Sequence, residues 1–270
     1  MTIGDLERFR AGAAKYAAYL ESPEGRLRLD LPYANLHDFL PRASRPLRAL
    51  DLGCGTGTMG VRLARLGHHV TMLDASQPML DLAESAAREA GVLDKVALKC
   101  GNAAELASLF PGELFDLILC HNVLEFVDDP EAVLCAAARA LRDPSSIFSI
   151  LVRNQAGEVF KAAIQNGDLA EAERDLTAQW ADESLYGGKV RLFAGGALRS
   201  TLAAASFAVA AERGVRVLAD YLPPKVSRTD EYARIFKLER KLGARPEFAA
   251  VARYTHCLAH RAASEMRDAS

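Results

Sequence analysis

From residue 46 to residue 154, short apolar runs alternate with segments whose apolar residues recur at helical spacing. The runs are "LRALDLG", "HHVTMLD", "KVALKCGNA", "FDLILCHN" and "SIFSILVRN". Each stops at a polar or glycine-bearing turn, as buried strands do. Between them "TMGVRLARLG", "QPMLDLAESAAREAG" and "DPEAVLCAAARALRD" read as helices. Pro78 suits a first turn and Gly67 a C-terminal cap. Strands alternating with helices at this spacing predict an α/β fold with a doubly wound, mostly parallel sheet. Upstream, residues 1–45 read as one or two helices ending in a loop with Pro41 and Pro46.

After Asn154 the rhythm changes. Residues 155–185 read as helical throughout and include Trp180, the single tryptophan. "KVRLFAGGALRSTLAAASF" supplies a short strand or loop and then a helix. "FAVAAERGVRVLADYLP" and "RYTHCLAHRA" read as two more strands. The helix between them presents Tyr232, Ile235, Phe236 and Leu242 on one face. The expected organisation is therefore a helical cap over 1–45 and a ligand-binding core over 46–154. A helical insert facing substrate would span 155–196, the completion of the sheet 197–262, and a tail 263–270.

Composition narrows the function classes. Half of the 270 residues are hydrophobic and a quarter are charged, enough for one large α/β domain or two small ones. A net charge of −2 argues against a generic polyanion binder. The charge is uneven, however: residues 181–261 hold 14 Lys/Arg against 8 Asp/Glu. That is either surface scatter or a preference for an anionic substrate near the second half. The five cysteines are odd in number and lack a C-x-x-C pair, which disfavours a disulfide framework or a zinc site. No acidic cluster demands a metal. The first residues are charged, and no apolar run approaches membrane length, so a soluble cytoplasmic protein is expected.

The chemistry concentrates in "DLGCGTGTMG", residues 51–60. Its Gly55-x-Gly57-x-x-Gly60 spacing alone is weak evidence for a dinucleotide site. Asp51, two residues before Gly53, is unusual for nicotinamide loops. The helix starting near Thr58 aims its N–H groups at the loop, which suits a carboxylate as well as a phosphate. Asp74 ends the next strand, where a carboxylate can accept two ribose hydroxyls. "CGNAAEL" and "FDLILCHNVLEFVDDPEAVL", together with "DLGCGTG", resemble class I S-adenosylmethionine-dependent methyltransferases. The resemblance implies a seven-stranded Rossmann-like sheet with an N-terminal helical lid. "SPEGRLRLDL", "LGHHVTMLDASQPMLDLA", "GVRVLADYLP" and "YTHCLAH" look like the bacterial tRNA methyltransferases that esterify 5-carboxymethoxyuridine at the wobble position. That similarity runs from about residue 20 to residue 260.

Carried over residue by residue, the resemblance places S-adenosylmethionine against Arg28, Gly53 with Cys54, Asp74, Asn102 and His121. Asp51, Gly55, Gly57, Ala75, Met79 and Ala103 complete the expected lining. Cys54 stands where the family can have glycine, and Arg153-Asn154 where it has Tyr-Asn. Several roles stay open. Arg28 can be a surface arginine and Asp74 a helix cap. Asn102 can make only a turn, and His121 can cap the next turn. Arg153 can clamp a substrate carboxylate or simply be solvated. Tyr221 and Tyr254 read as core-rim aromatics. His121, Arg153 and Asn154 are the candidates for positioning substrate. A carboxylate acceptor is ionised and needs no base, whereas a phenol or amine would need one, His121 first. The expected partner is a tRNA anticodon stem-loop, or else a small anionic substrate walled by the insert. The competing class is a fold relative that binds an adenosyl ligand without transferring methyl.

Overall fold

The computed structural model of the protein describes residues 3–40, 45–183, 185 and 187–262. The expected turn at Pro41 and the tail 263–270 lie outside them. Two helices open the chain, α1 (Ile3–Leu20) and α2 (Pro23–His37). Ser22 caps α2, its hydroxyl accepting the Gly25 N–H, and Pro23 follows in the first turn. Then come β1 (Arg48–Leu52), α3 (Thr58–Arg65), β2 (His69–Asp74), α4 (Gln77–Glu89) and β3 (Val96–Cys100). A short α5 (Leu106–Leu109) leads to β4 (Leu117–His121), α6 (Pro130–Ala140) and β5 (Ile147–Arg153). After β5 follow α7 (Gln155–Phe160), a π turn, α8 (Leu169–Asp175) and the hairpin strands β6 (Trp180–Asp182) and β7 (Lys189–Arg191). The chain ends with α9 (Gly195–Ala204), β8 (Phe207–Val215), α10 (Tyr232–Gly243), α11 (Pro246–Ala249) and β9 (Tyr254–Arg261).

Seven strands form one sheet in the order β3-β2-β1-β4-β5-β9-β8. Only β9 runs against its neighbours. The expected doubly wound, mostly parallel sheet is present. Strands buried on both faces explain the near-continuous apolar runs. Leu50, Leu52, Ile118, Cys120, Phe148 and Ile150 face one core with α6 and α9. Ala49, Met72, Leu117 and Leu119 face the other, with α3 and α4. Among the described residues, no helix is long and apolar enough to cross a membrane.

The insert differs from expectation. It is helical to Asp175, but Trp180 lies on β6, paired with Arg191 of β7. The alanine-rich, acidic composition of 169–182 reads as helix. The pairing that makes a strand comes from residues about ten positions later, which local periodicity does not register.

The strand order reverses between β1 and β4, and ligands of open α/β sheets bind outside the carboxyl ends at such a point. Above that point lie α1 and α2. Tyr16 of α1 faces Gly55, and Phe9 meets Phe126 edge-on at 4.9 Å.

Candidate cofactor site

Two adjoining cavities, one larger than the other, occupy the crevice. The larger is lined by Gly53, Gly55, Asp74, Ala75, Met79 and Ala103, with Phe9, Val123 and Phe126. The smaller lies over Asp51, Cys54, Thr56 and Thr58. Arg28, Tyr16, His121 and Asn122 line both.

The glycine loop follows from local geometry. Gly53 has φ +63°, and a Cβ there would come 2.6 Å from Val123 Cγ2. Gly57, at φ +74°, caps α3, and a Cβ would meet Ala83 of α4 at 2.7 Å. Of the two, Gly53 lines the cleft, while Gly57 lets α3 and α4 approach each other. Gly57 was expected among the lining and instead supports the loop from behind. Cys54 fixes the turn through its N–H, which donates to Leu73 O at 3.0 Å.

Asp74 braces the turn beyond β2 and the glycine loop at once, and leaves acceptor capacity facing the larger cavity. Oδ1 accepts the Ser76 N–H at 2.9 Å and Oδ2 the Gly55 N–H at 2.8 Å. A carboxylate has about four acceptor positions, so two remain. Burial raises its pKa, against the pull of those backbone N–H groups.

Asp51 is 3 % exposed, and its Oδ2 is buried without a hydrogen-bond partner. Burial pushes its carboxyl up to about 7, against the Gly60 N–H, and Asp74 adds to the rise. An orphaned acceptor in the smaller cavity fits a cationic ligand group such as an amino acid's ammonium. The N-terminus of α3 and Arg28 suit the matching carboxylate. The residues present therefore fit S-adenosylmethionine. A bound cation returns Asp51 to its ionised form, so binding releases a proton at acidic pH. Cofactor affinity is expected to rise with pH toward about 7, by up to about tenfold per unit, and then level. Asp51→Asn removes that dependence. Calorimetry giving the wild type and Asp51→Asn the same slope below neutrality counts against this role.

His121 ends β4, and its Nε2 lies 2.8 Å from Ser149 Oγ. Burial and Arg28 push its imidazole down to about 3, so it is neutral. Arg28 donates from Nε to Asn122 Oδ1 at 2.9 Å and sits over the rings of Tyr16, Tyr19 and Tyr254. Asn102 lies in the chain between Gly101 and Ala103 of the larger cavity but is not itself among the residues that line it. Its Oδ1 accepts the Ala104 N–H, which makes the turn. Ala75, Met79 and Ala103 lie on the wall of the larger cavity.

The strand-five exit departs from expectation. Arg153 was a candidate clamp for substrate. Its Nη2 donates to Glu183 Oε2 at 2.8 Å, and its Nε lies 3.6 Å from Glu158. Its fork is held by protein carboxylates. Asn154 is committed to the fold: Nδ2 donates to Ala250 O and Ala252 O, and Oδ1 caps α7.

Behind Arg28 lies a cluster that sequence reasoning did not assemble. Arg216 is held bidentately by Asp220 Oδ1 and donates to the Tyr19 hydroxyl at 2.7 Å. Arg253 pairs with Asp220 Oδ2 at 3.2 Å and Glu158 Oε1 at 3.1 Å. Arg216 has φ +59°, rare for a side chain of its size. Its turn is braced by Glu239 of α10, which accepts the N–H groups of Val217, Leu218 and Ala219. Burial raises the Tyr254 phenol, but Arg28, Arg216, Arg153 and Arg253 outweigh that and hold it below its usual value. The "GVRVLADYL" and "YTHCLAH" matches pointed here. Asn122, at φ +54° beside His121, is a second signal, since asparagine tolerates that conformation.

Comparison with known proteins agrees with this geometry. Residues 50–149 match the family described as "Methyltransferase domain". The tRNA 5-carboxymethoxyuridine methyltransferase of Escherichia coli (strain K12) is 30% identical over 250 residues, covering 90% of this chain and 91% of that protein. The ubiquinone biosynthesis O-methyltransferase of Methylococcus capsulatus is 33% identical over 153 residues, 54% of this chain and 60% of its own. A Thermotoga maritima structure, described as an S-adenosylmethionine-dependent methyltransferase and possible histamine N-methyltransferase, superposes with TM-score 0.61 at 15% identity. It covers 95% of this chain and 99% of that one, which speaks for the fold. The chain is thus an S-adenosylmethionine-dependent methyltransferase of class I, and it belongs to the family that includes the Escherichia coli tRNA 5-carboxymethoxyuridine methyltransferase.

Proposed function

We propose that this enzyme methylates a carboxylate, that of 5-carboxymethoxyuridine in the anticodon loop of tRNA. The observation that carries the reading is the arginine cluster joined to the cleft through Arg28. Arg153, Arg216 and Arg253 share Glu158, Glu183 and Asp220, while Arg28, in front of them, donates to Asn122. A further carboxyl, Glu125, is 3 % exposed, and burial raises its pKa, which weakens its share of negative charge. The depressed Tyr254 phenol reports the resulting positive field, which also favours a substrate anion. The Escherichia coli relative supports the nucleoside, because its similarity covers 90% of this chain and so extends well beyond the methyltransferase domain at residues 50–149.

The chemistry asks little of the protein beyond placement. The cofactor supplies an electrophilic methyl group on its sulfonium. Asp74 would present acceptor positions to the ribose hydroxyls, and Asp51 would hold the ammonium. Arg28 and the start of α3 would hold the methionine carboxylate. Gly53 and Val123 shape the wall, while Tyr16 and Phe9 keep water out from above. A carboxylate oxygen held in line needs no proton removed, and alignment alone can be worth effective molarities of about 10⁵–10⁸ M.

The test is to incubate the protein with tRNA carrying the unmethylated carboxymethoxy group and digest it to nucleosides. The methyl ester is expected by mass spectrometry. Binding should weaken with salt, with a slope of about −0.7 per phosphate neutralised in a single-stranded loop. No ester on tRNA, together with methylation of a small-molecule fraction, overturns the tRNA reading in favour of a small anionic metabolite.

A further inference from the structure

His121, Ser149 and His256 stand on three neighbouring strands, on one face of the sheet. In register, His121 of β4 pairs with Leu151 of β5, and Leu151 with His256 of β9. Ser149, two residues from Leu151, shares its face. Its hydroxyl lies 2.8 Å from His121 Nε2 and 2.9 Å from His256 Nε2. Asn35 of α2 closes the row, its Nδ2 3.3 Å from His256 Nδ1. Ser149 and His256 are fully buried.

Such a chain has a direction, because each neutral imidazole has one donor and one acceptor and a hydroxyl has one proton. The Asn35 amide nitrogen can only donate, so His256 Nδ1 accepts. His256 Nε2 then carries the proton and donates to Ser149. Ser149 donates in turn to His121 Nε2. The proton of His121 is left on Nδ1, the remaining polar atom of a ring that lines the cleft. We propose that Asn35, His256 and Ser149 are positioning residues that fix His121 as a neutral Nδ1–H donor toward the bound cofactor and substrate, and so withdraw it as a general base. The inference deepens the carboxylate reading and rests on it for its consequence: an acceptor that arrives ionised fits this site, and a phenol or amine relying on the imidazole does not.

The surroundings agree. Arg28 of α2 faces His121, Arg213 of β8 faces His256, and each imidazole faces the other edge-on at 5.4 Å. Asp51 of β1 shares the smaller cavity with His121. Each imidazole thus faces one arginine and the other imidazole, and these neighbours together with burial disfavour an imidazolium at either place. A neutral donor also spares the sulfonium a like charge beside it.

The test reads tautomers directly, by long-range ¹H–¹⁵N correlation on protein labelled at histidine. Wild type is expected to show His121 protonated at Nδ1 and His256 at Nε2. Ser149→Thr, which keeps the hydroxyl, should preserve both. Ser149→Ala should release His121 into a tautomer mixture. Asn35→Asp should reverse the chain, because a carboxylate accepts from His256 Nδ1–H, and His121 then carries its proton on Nε2. Asn35 lies on a helix at partial exposure, so that variant keeps the question open if Ser149→Ala fails to fold. Wild-type His121 protonated at Nε2, or an unchanged tautomer in both Ser149→Ala and Asn35→Asp, overturns the proposal. None of these spectra involves a methyl acceptor, so failure of the tRNA assay and failure here are separate results.

Discussion

Asp74→Ala is expected to lower affinity for S-adenosylmethionine by about 10²- to 10⁴-fold. The carboxylate stands at the end of β2, with both oxygens pinned by the Gly55 and Ser76 N–H groups. Those bonds fix its orientation and leave two acceptor positions for the ribose diol. Each hydrogen bond to a charged group is worth about 1.5–3 kcal/mol, and each 1.4 kcal/mol is about a factor of ten. The variant also loses the strut between β2 and the glycine loop, so the loss falls toward the upper end. Asp74→Asn keeps the shape and one carbonyl acceptor, and should lose less. Calorimetry on both variants, with circular dichroism confirming the fold, measures the effect. Unchanged affinity in the alanine variant would remove the ribose from Asp74.

Why the placement of Asp74 was legible while that of the proposed substrate side was not has a physical reason. The cofactor half of the site is local. Asp51, Gly53, Gly55 and Asp74 lie at the ends of two adjacent parallel strands, joined by one helix, so chain spacing fixes their spatial relation. The apolar runs that mark those strands are buried on both faces and stand out in the sequence. The substrate half is non-local. Arg153 reads as a solvent-facing strand end until Glu183, thirty residues on, takes its guanidinium. Ser149 and His256 are 107 residues apart and meet only through an antiparallel register. A one-residue slip would turn either side chain to the opposite face. Trp180 fails for the same reason, since its strand exists only by pairing with β7. Asn154 shows a further limit: a polar residue at a strand exit looks functional, and here it caps α7 and ties it to the Ala250–Ala252 backbone.

Glu239→Ala is expected to destabilise the fold by about 3 kcal/mol, since two buried N–H groups and one part-buried one lose their acceptor at about 1–3 kcal/mol each. For a chain of this size, that corresponds to about 6–12 °C in melting temperature. Glu239 is fully buried on α10, and its carboxylate accepts Val217 N–H at 2.7 Å, Leu218 N–H at 2.9 Å and Ala219 N–H at 2.7 Å. Those three residues follow Arg216, whose φ of +59° persists only while the turn is held. Relaxing the turn moves Arg216 away from Tyr19 and Asp220, on the substrate side of Arg28. The carboxylates Asp51 and Asp74 stand on β1 and β2, four and five places across the sheet from β8. Methyl transfer should therefore fall far more than cofactor affinity in any fraction that folds. Thermal melts and calorimetry on the same preparation separate the two effects. A melting temperature equal to wild type, or a loss of cofactor affinity matching the loss of transfer, would show that Glu239 does not act through the Arg216 turn.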